Sequence, residues 1–249
     1  MATRYHIAAK DLRGPITAYA KRFDFLEVHV LPAQEPEKPK ETQPALATLR
    51  RWRKQVPPHF DFSVVAGPNV AKLRPGPLLE RELAAGMAGV HALQARCFVL
   101  RTPADVTPSA LWRDRLAKVV DRFPRDVTHV VWEPGGVWET GEAAVVAKKL
   151  GIVLAVDAAR DPVPVGSVAY ARLRALGETR SFSESTLERI VRSIGPRKDV
   201  FVVLETDSAK VEVKRLRRLA QRTKSSGVGG LGRLVRPRGS IVVRDDEQE

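Results

Sequence analysis

Short apolar stretches recur eight times along the chain, and most are separated by longer segments in which apolar residues return with helical spacing. Within several stretches, such as IVLAVD and VVLE, apolar residues follow one another without alternation, which is typical of strands covered on both faces. Strands that alternate with helices favour a parallel sheet with crossover helices. The predicted strands are Tyr5–Ala9, Phe25–Val30, Asp61–Ala66, Cys97–Arg101, Thr128–Trp132, Ile152–Asp157, Val168–Leu173 and Val200–Leu204.

Seven segments between or after these strands have the spacing of amphipathic helices. Ser183 is a favourable N-cap for one of them, and Gly151 and Gly195 stand where helices commonly end in a left-handed residue. The DPVPVGS segment between strands 6 and 7 is too short and too rich in proline for a helix. The pattern therefore predicts an irregular TIM-like (β/α)8 barrel of the α/β class, with the helix between strands 6 and 7 missing. The predicted helices are Pro15–Phe23, Ala45–Gln55, Leu78–Leu93, Ser109–Phe123, Glu139–Leu150, Ser183–Ile194 and Ser208–Thr223.

The chain of 249 residues is long enough for one such barrel, which we place at residues 1–223. Residues 224–249 are rich in Gly and Arg and end in acids, so we expect a flexible basic tail. The Leu31–Pro44 segment contains four prolines and is predicted to be an extended loop, either a lid or a plain surface excursion.

The cysteine content and the apolar segments of the chain indicate in which cellular compartment the protein is found. Cys97 is the single cysteine, so no disulfide can form within the chain, and a reducing environment suits the protein. Residues 1–13 contain no apolar segment of the signal-peptide type, and no segment reaches the length of about 18 apolar residues that a membrane helix needs. We therefore expect a cytoplasmic protein with no membrane partner.

The net charge of +13 is distributed unevenly. Residues 209–244 contain eleven Lys or Arg and the single acid Glu212. The last predicted helix gains a cationic face at i, i+4, i+7 and i+8, which favours contacts with nucleic-acid phosphates; the charged outer face of an ordinary barrel helix is the alternative. The residues of this face are Lys210, Lys214, Arg217 and Arg218.

Eight phrases stand in a fixed order along the chain: FDFLEVH, W with FDFSVV, LRTP, WEPGGVW, LAVDAA, YARLRALG, FSESTL and VFVVLE. In this order they resemble phrases such as FDTVEIN, LLQLP, VEFRHPSW, YVRLHG and YSDEEL of the YecE-like proteins, the family known as domain of unknown function 72. The resemblance spans roughly residues 5–219, and it implies a TIM barrel.

The chain also departs from the phrases of that family at polar positions near the strand ends. AAKDL stands where the family has the opening GTSGW, and Thr206 stands where the family has the second residue of an Asn pair. Five further positions differ, so the resemblance implies a divergent member whose catalytic activity is left open. These are His29 for Asn, Val65 for Lys, Gly135 for Arg, Arg174 for His and Glu205 for Asn.

The ends of the predicted strands carry many polar residues, which a parallel barrel gathers at one rim where ligands bind. A ring of acids, arginines and one histidine suits an anionic or polyhydroxylated ligand and acid–base chemistry, whereas a solvated rim of paired charges is the alternative. The rim residues are Lys10, Asp11, His29, Asn69, Arg101, Glu133, Asp157, Arg172, Arg174, Glu205 and Asp207.

Three rim residues are candidates for catalysis. Asp157 and Glu133 each follow an apolar stretch directly, so they form a candidate acid–base pair, although Asp157 is equally suited to capping the next loop. His29 is either a proton shuttle or a hydrogen-bonded core histidine.

Four rim residues are candidates for ligand binding: Arg101, Arg172, Arg174 and Glu205. Arg172 and Arg174 are two residues apart and share one strand face. They either clamp a carboxylate or phosphate together, or form ion pairs with Asp157 and Glu205.

No cofactor or metal is predicted. The glycines at Gly227, Gly229 and Gly232 spell G-x-G-x-x-G, but they follow a helix rather than a strand, and the histidines are scattered without metal-ligand spacing. The sequence thus favours a barrel that binds a small polar or anionic metabolite at the strand ends, with a nucleic-acid-binding module and a non-catalytic interaction scaffold as the alternatives.

Overall fold

Eight parallel strands form the wall of the molecule in a computed structural model, which describes residues 3–32, 44–123, 128–176 and 180–226. The strands are β1 (Arg4–Ala9), β2 (Phe25–His29), β3 (Asp61–Val65), β4 (Cys97–Arg101), β5 (His129–Glu133), β6 (Val153–Val156), β7 (Val168–Arg174) and β8 (Asp199–Glu205). Their order in the sheet is β1-β8-β7-β6-β5-β4-β3-β2, so the edge strands are the first two of the chain, which come together and nearly close the barrel. The predicted TIM-like barrel is confirmed.

Helices lie between most of the strands. They are α1 (Ile16–Ala20), α2 (Leu46–Gln55), α3 (Pro68–Ala71), α4 (Pro77–Leu93), α5 (Ala110–Val120), α6 (Thr140–Leu150), α7 (Glu184–Ile194) and α8 (Ala209–Ser226). Ser183 caps α7 by accepting a hydrogen bond from Thr186 N at 3.2 Å, and Gly151 ends α6 in the left-handed conformation, both as predicted. None of the helices in these ranges is long and apolar enough to cross a membrane.

The connection between β6 and β7 is fully described and contains no helix, which confirms the predicted irregularity. The guanidinium of Arg197 donates hydrogen bonds to the carbonyls of Pro164 at 2.6 Å and Gly166 at 3.1 Å. One side chain thus provides partners for backbone carbonyls of a loop that has no helical hydrogen bonds of its own.

The short helix α3 was not predicted. Pro68 occupies its first turn, and the buried carboxylate of Glu82 accepts hydrogen bonds from the backbone N–H groups of Asn69 at 2.7 Å and Val70 at 3.2 Å. The first N–H groups of a helix need hydrogen-bond acceptors, and here Glu82 of α4 provides them. Because this contact comes from a later helix, the sequence around residues 68–71 does not predict α3.

Two earlier predictions fall mostly outside the described residues. Residues 33–43 of the Leu31–Pro44 loop and residues 227–249 of the tail are not described, and the glycine motif from Gly227 to Gly232 belongs to the latter.

Two apolar clusters hold the barrel together. The larger one fills the layer between the strands and the surrounding helices. The smaller one fills the barrel interior, because alternate strand residues point inwards. Its buried members are Ala8, Phe25, Val65, Cys97, Val99, Val131, Ala155, Tyr170, Phe201 and Val203.

A charged cluster closes the barrel interior at the amino ends of the strands. His6 lies between two carboxylates, with Nδ1 2.8 Å from Asp61 and Nε2 2.9 Å from Asp199, and its ring stacks on Phe201 at 4.5 Å. Arg96 donates to Asp199 Oδ2 at 3.0 Å. The two acids and two basic groups therefore satisfy one another where water has little access.

Side chains complete the seam where the barrel edges meet. The hydroxyl of Tyr19 accepts from Ala9 N at 2.9 Å and donates to Ala9 O at 3.0 Å. Asp24 also binds both backbone groups of one residue, Ile7. The backbone N–H of Asp24 donates to Ile7 O at 2.8 Å, and the Asp24 carboxylate accepts from Ile7 N at 3.1 Å. Edge backbone groups of β1 are thereby satisfied without a ladder.

We predict that Asp199→Asn lowers the free energy of unfolding by about 3 kcal/mol at neutral pH, because the partly buried Arg96 and the buried His6 ring both lose their contact with this carboxylate. Burial acts to raise the pKa of Asp199, but the hydrogen bonds from His6 and Arg96 outweigh it and hold the pKa below its ordinary value of 3.8. The contribution of the carboxylate is therefore complete above about pH 4 and is lost as the pH falls through the folded-state pKa. Urea denaturation between pH 2.5 and 7 measures the difference, which must shrink at low pH; Asp114→Asn, at an exposed pair with Lys118, is the control and changes stability by less than about 1 kcal/mol.

We also predict that Tyr19→Phe lowers the free energy of unfolding by about 1–2 kcal/mol, because the N–H and C=O of Ala9 both lose their hydrogen-bond partner. Tyr5→Phe is the matched control, since no hydrogen bond from the Tyr5 hydroxyl is found within the described part of the chain. Equal urea midpoints for the two variants would contradict the assignment of Tyr19 to the seam.

Candidate functional site

The carboxyl ends of the strands enclose a buried arginine. Arg172, on β7, is 1% exposed and donates hydrogen bonds to Glu27 at 2.7 and 3.0 Å, to Glu133 at 2.9 Å and to Glu205 at 2.9 Å. Tyr170 adds a hydrogen bond from its hydroxyl to Glu27 at 2.6 Å. The three carboxylates come from β2, β5 and β8, so strand ends all round the barrel converge on one guanidinium.

Two further arginines complete this arrangement, which we call the mouth network. Arg101 contacts Glu133 at 3.0 Å, and Arg174 pairs with both Glu133 and Glu205, the latter at 3.2 Å. Three carboxylates thus face three guanidinium groups, and the network is electrically balanced. Its members are Glu27, Arg101, Glu133, Arg172, Arg174 and Glu205.

Glu133 is held as a carboxylate in this network. Burial acts to raise its pKa, but the guanidinium groups of Arg172, Arg101 and Arg174 outweigh burial and hold the pKa of Glu133 below its usual range. A general acid needs a proton near neutral pH, so this environment is the opposite of the one that general-acid catalysis requires.

The sequence left two roles open for Arg172 and Arg174, which were a clamp for an anionic ligand and ion pairs with protein acids. In the structure both arginines form ion pairs with protein acids. Both arginines contact Glu205, as expected, but their second acid is Glu133 rather than Asp157. The predicted ligand-binding set of Arg101, Arg172, Arg174 and Glu205 is therefore brought together, with the arginines directed at protein carboxylates.

Asp157 lies beside the network and shapes the turn after β6. Its Oδ1 accepts from Ala159 N at 3.1 Å, while Oδ2 is buried without a hydrogen bond, 3.5 Å from Arg160 Nε. Burial raises the pKa of Asp157, opposed by the Ala159 N–H and by the charges of Arg160 and Arg174. The capping geometry that was one of its two predicted roles is present, and Arg174 is close enough to act on its charge.

His29 is at the end of β2 and is exposed, so the interpretation as a core histidine is wrong. It lines a separate cavity of about 480 Å³ with Glu27, Trp52 and Gly67. Glu133 and Asp157 are not among the residues that line this cavity. Among residues 3–32, 44–123, 128–176 and 180–226, no cluster of acids, histidines and cysteine is arranged to hold a metal ion.

A cavity of about 630 Å³ opens beside the network at the ends of β1, β7 and β8. We call it the cationic cavity, because six cationic and three acidic side chains line it among residues 3–32, 44–123, 128–176 and 180–226. The cations are Lys10, Arg13, Arg22, Arg174, Arg180 and Lys210, and the acids are Asp11, Glu205 and Asp207. Three other cavities have at most one Lys or Arg each in their walls.

Five of the six cations have no carboxylate within ion-pair distance in the described part of the chain, Arg174 being the exception. Arg174 and Glu205 neutralise each other within the mouth network. Setting that pair aside, the described residues of the wall contribute five cations and two acids, an excess of three positive charges. Such an excess in a concave site attracts anions.

A buried acid fixes two loops of this cavity. Glu212, on α8, is completely buried and accepts hydrogen bonds from Phe182 N at 2.6 Å and from the Thr206 hydroxyl. Asp207 N donates to Arg180 O at 3.1 Å, which joins the same two loops directly. The single acid of the basic 209–244 segment therefore stabilises the loops that carry Arg180, Thr206 and Asp207.

The predicted nucleic-acid face of α8 is divided. Arg217 donates to Asp24 at 2.8 Å and Arg218 to Glu184 at 2.6 Å, whereas Lys210 lines the cationic cavity. Lys214 is exposed, and no carboxylate is within ion-pair distance of it in the described ranges. The helical spacing was right, but two of the four charges already have protein partners.

Sequence reasoning missed several residues of both sites. Glu27 and Tyr170 lie within strands rather than at their ends, so the search for terminal polar residues overlooked them. Arg13, Arg22 and Arg180 belong to connecting segments, and only the folded chain shows that they share a cavity with Lys10, which was among the predicted rim residues.

Gly135 explains one departure in the WEPGGVW phrase. A Cβ atom at Gly135 would lie 2.6 Å from the backbone oxygen of Thr102, and one at Gly136, where φ is +73°, would lie 2.7 Å from Ala104. The loop after β5 packs so closely on the loop after β4 that a side chain at Gly135 has no room.

Comparison with solved structures shows the same fold. A DUF72 family protein from Enterococcus faecalis V583 superimposes with a TM-score of 0.66 at 13% identity, over 88% of this chain and 98% of that one. A xylose isomerase domain containing protein from Salmonella typhimurium LT2 gives a TM-score of 0.55 at 12% identity, over 90% and 97%. No curated protein matches in sequence.

The family profile described as "Protein of unknown function DUF72" matches residues 42–236, which is most of the chain. On this match, together with the shared barrel, the protein belongs to the DUF72 family.

Proposed function

We propose that this protein binds a small anionic metabolite in the cationic cavity. The supporting observation is the excess of three positive charges that remains after the ion pairs of the mouth network are set aside. In the mouth network, by contrast, three guanidinium groups face three carboxylates, so the network has no charge left over to attract an anion.

The size of the cavity supports a metabolite rather than a bare ion. Its volume of about 630 Å³ is within the range of roughly 300–1,000 Å³ that is usual for small-molecule sites. Apolar side chains such as Tyr19, Phe23 and Leu204 contribute to its walls, so the body of a ligand finds apolar contacts between the charges.

The position of the cavity supports the same proposal. In TIM barrels the loops that follow strands 7 and 8, together with a helix start, frequently bind phosphate. Here the cavity is bordered by the segments after β7 and β8 and by Ala209 and Lys210, the first residues of α8.

The mouth network supports binding more than catalysis. Glu133 is surrounded by arginines, and its lowered pKa leaves it without a proton to donate near neutral pH. The proposal therefore assigns no reaction to Glu133, Asp157 or His29.

A thermal-shift panel of phosphorylated metabolites, each paired with its neutral parent compound, tests the proposal. A phosphorylated compound present at about a hundred times its Kd adds about 2.7 kcal/mol of stability, which corresponds to a rise in Tm of about 5–10 °C for a chain of this size. The neutral parent gives no rise, and added salt reduces the effect because it screens the cations.

Two variants locate the site. The double substitution Lys10→Gln with Arg180→Gln removes two cations of the cavity and is expected to abolish the shift. Arg50→Gln, at an exposed position of α2 outside the cavity walls, keeps it. A full shift in the double variant, or no shift with any phosphorylated compound, would refute the proposal.

A further inference from the structure

The cations of the cationic cavity approach from two sides of β8. Lys10, Arg13 and Arg22 follow β1 in the chain, whereas Arg174 ends β7 and Arg180 lies in the segment after it. In the sheet, β8 separates β1 from β7. Neighbouring strands are about 4.8 Å apart, so the backbones of β1 and β7, after which the two groups follow, are about 10 Å apart.

The acids leave both groups in positive excess. Asp11 accompanies the three cations on the β1 side, and Glu205 is already paired with Arg174 and Arg172. Asp207 lies in the segment after β8, and Lys210, in the first turn of α8, adds a further cation there. Positive charge is therefore spread over both walls and is not concentrated at one point.

The space between the two groups is partly apolar. Tyr19 and Phe23 of the α1 region and Leu204 of β8 line the cavity with Ala18 and Ala175. The Tyr19 hydroxyl donates its hydrogen to Ala9 O and accepts a hydrogen bond from Ala9 N, so it has no hydrogen left to donate to an anion. This wall fits a carbon body better than a third anionic group.

The charge of the site indicates how many anionic groups the ligand has. A phosphomonoester carries about −1.5 to −2 at pH 7, so one such group leaves part of the excess of three positive charges uncompensated. Two phosphate groups, or one phosphate and one carboxylate, match it.

We infer that the ligand has two separate anionic groups, at least one of them a phosphate, at opposite ends of a short carbon body that spans β8. This inference rests on the proposed function and specifies its ligand class. The β1-side cations bind one group, and Arg180 with Lys210 binds the other.

A series of α,ω-alkanediphosphonates with two to eight methylene groups measures the separation of the two groups. Each is compared by isothermal titration calorimetry with the alkylphosphonate of the same carbon number. We expect an optimum at intermediate length, with affinity for that diphosphonate on the order of a hundredfold above that for its monophosphonate, because the second contact becomes intramolecular.

Single substitutions on each side test which residues bind the two ends. Arg22→Gln and Arg180→Gln are each expected to reduce the advantage of the optimal diphosphonate by about tenfold, and Arg50→Gln leaves it unchanged. Circular dichroism and urea midpoints equal to those of the unsubstituted protein show that the variants remain folded.

The outcomes separate this inference from the proposed function. Monophosphonates that bind as tightly as every diphosphonate, or a gain that is the same at all lengths, would overturn the two-ended ligand and leave the anion site standing. If neither class binds, and no phosphorylated metabolite shifts Tm, both proposals fail.

Discussion

A buried guanidinium governs the carboxyl end of this barrel. A charge that is removed from water must be neutralised and hydrogen-bonded by its neighbours. Arg172 meets this requirement with glutamates from β2, β5 and β8, so strand ends from opposite sides of the barrel converge on one side chain. The central mouth is consequently filled by protein groups, and the space that remains for a ligand lies to one side, over β8 and between β1 and β7.

Much of this fold was predictable because it depends on local, repeated signals. Short apolar stretches marked all eight strands, and two prolines with a glycine marked the connection without a helix. The sites depend on distant partners instead. Glu27 meets Arg172 only because β2 and β7 face each other across the interior, and Arg22 joins Arg180 only because α1 lies near the segment after β7. Helix α3 was missed for the same reason, since Glu82 supplies its hydrogen bonds from α4.

The comparison with the Enterococcus faecalis protein separates what the fold needs from what the site needs. At 13% identity the barrel persists, because apolar positions of suitable size and spacing are sufficient to form it. The polar strand ends are where this chain leaves the family phrases, at His29, Arg174 and Glu205 among others. Two of these three, Arg174 and Glu205, belong to the mouth network and pair with each other.

Arg174 is shared between the mouth network and the wall of the cationic cavity. An anion that takes hydrogen bonds from this guanidinium competes with Glu133 and Glu205 for it, and a carboxylate that loses a cationic partner holds a proton more readily. By thermodynamic linkage, occupancy of the cavity and proton uptake at Glu133 then depend on each other reciprocally. On the proposed function, Arg174 alone therefore links a ligand at the edge of the barrel to the ionisation of Glu133 at its centre.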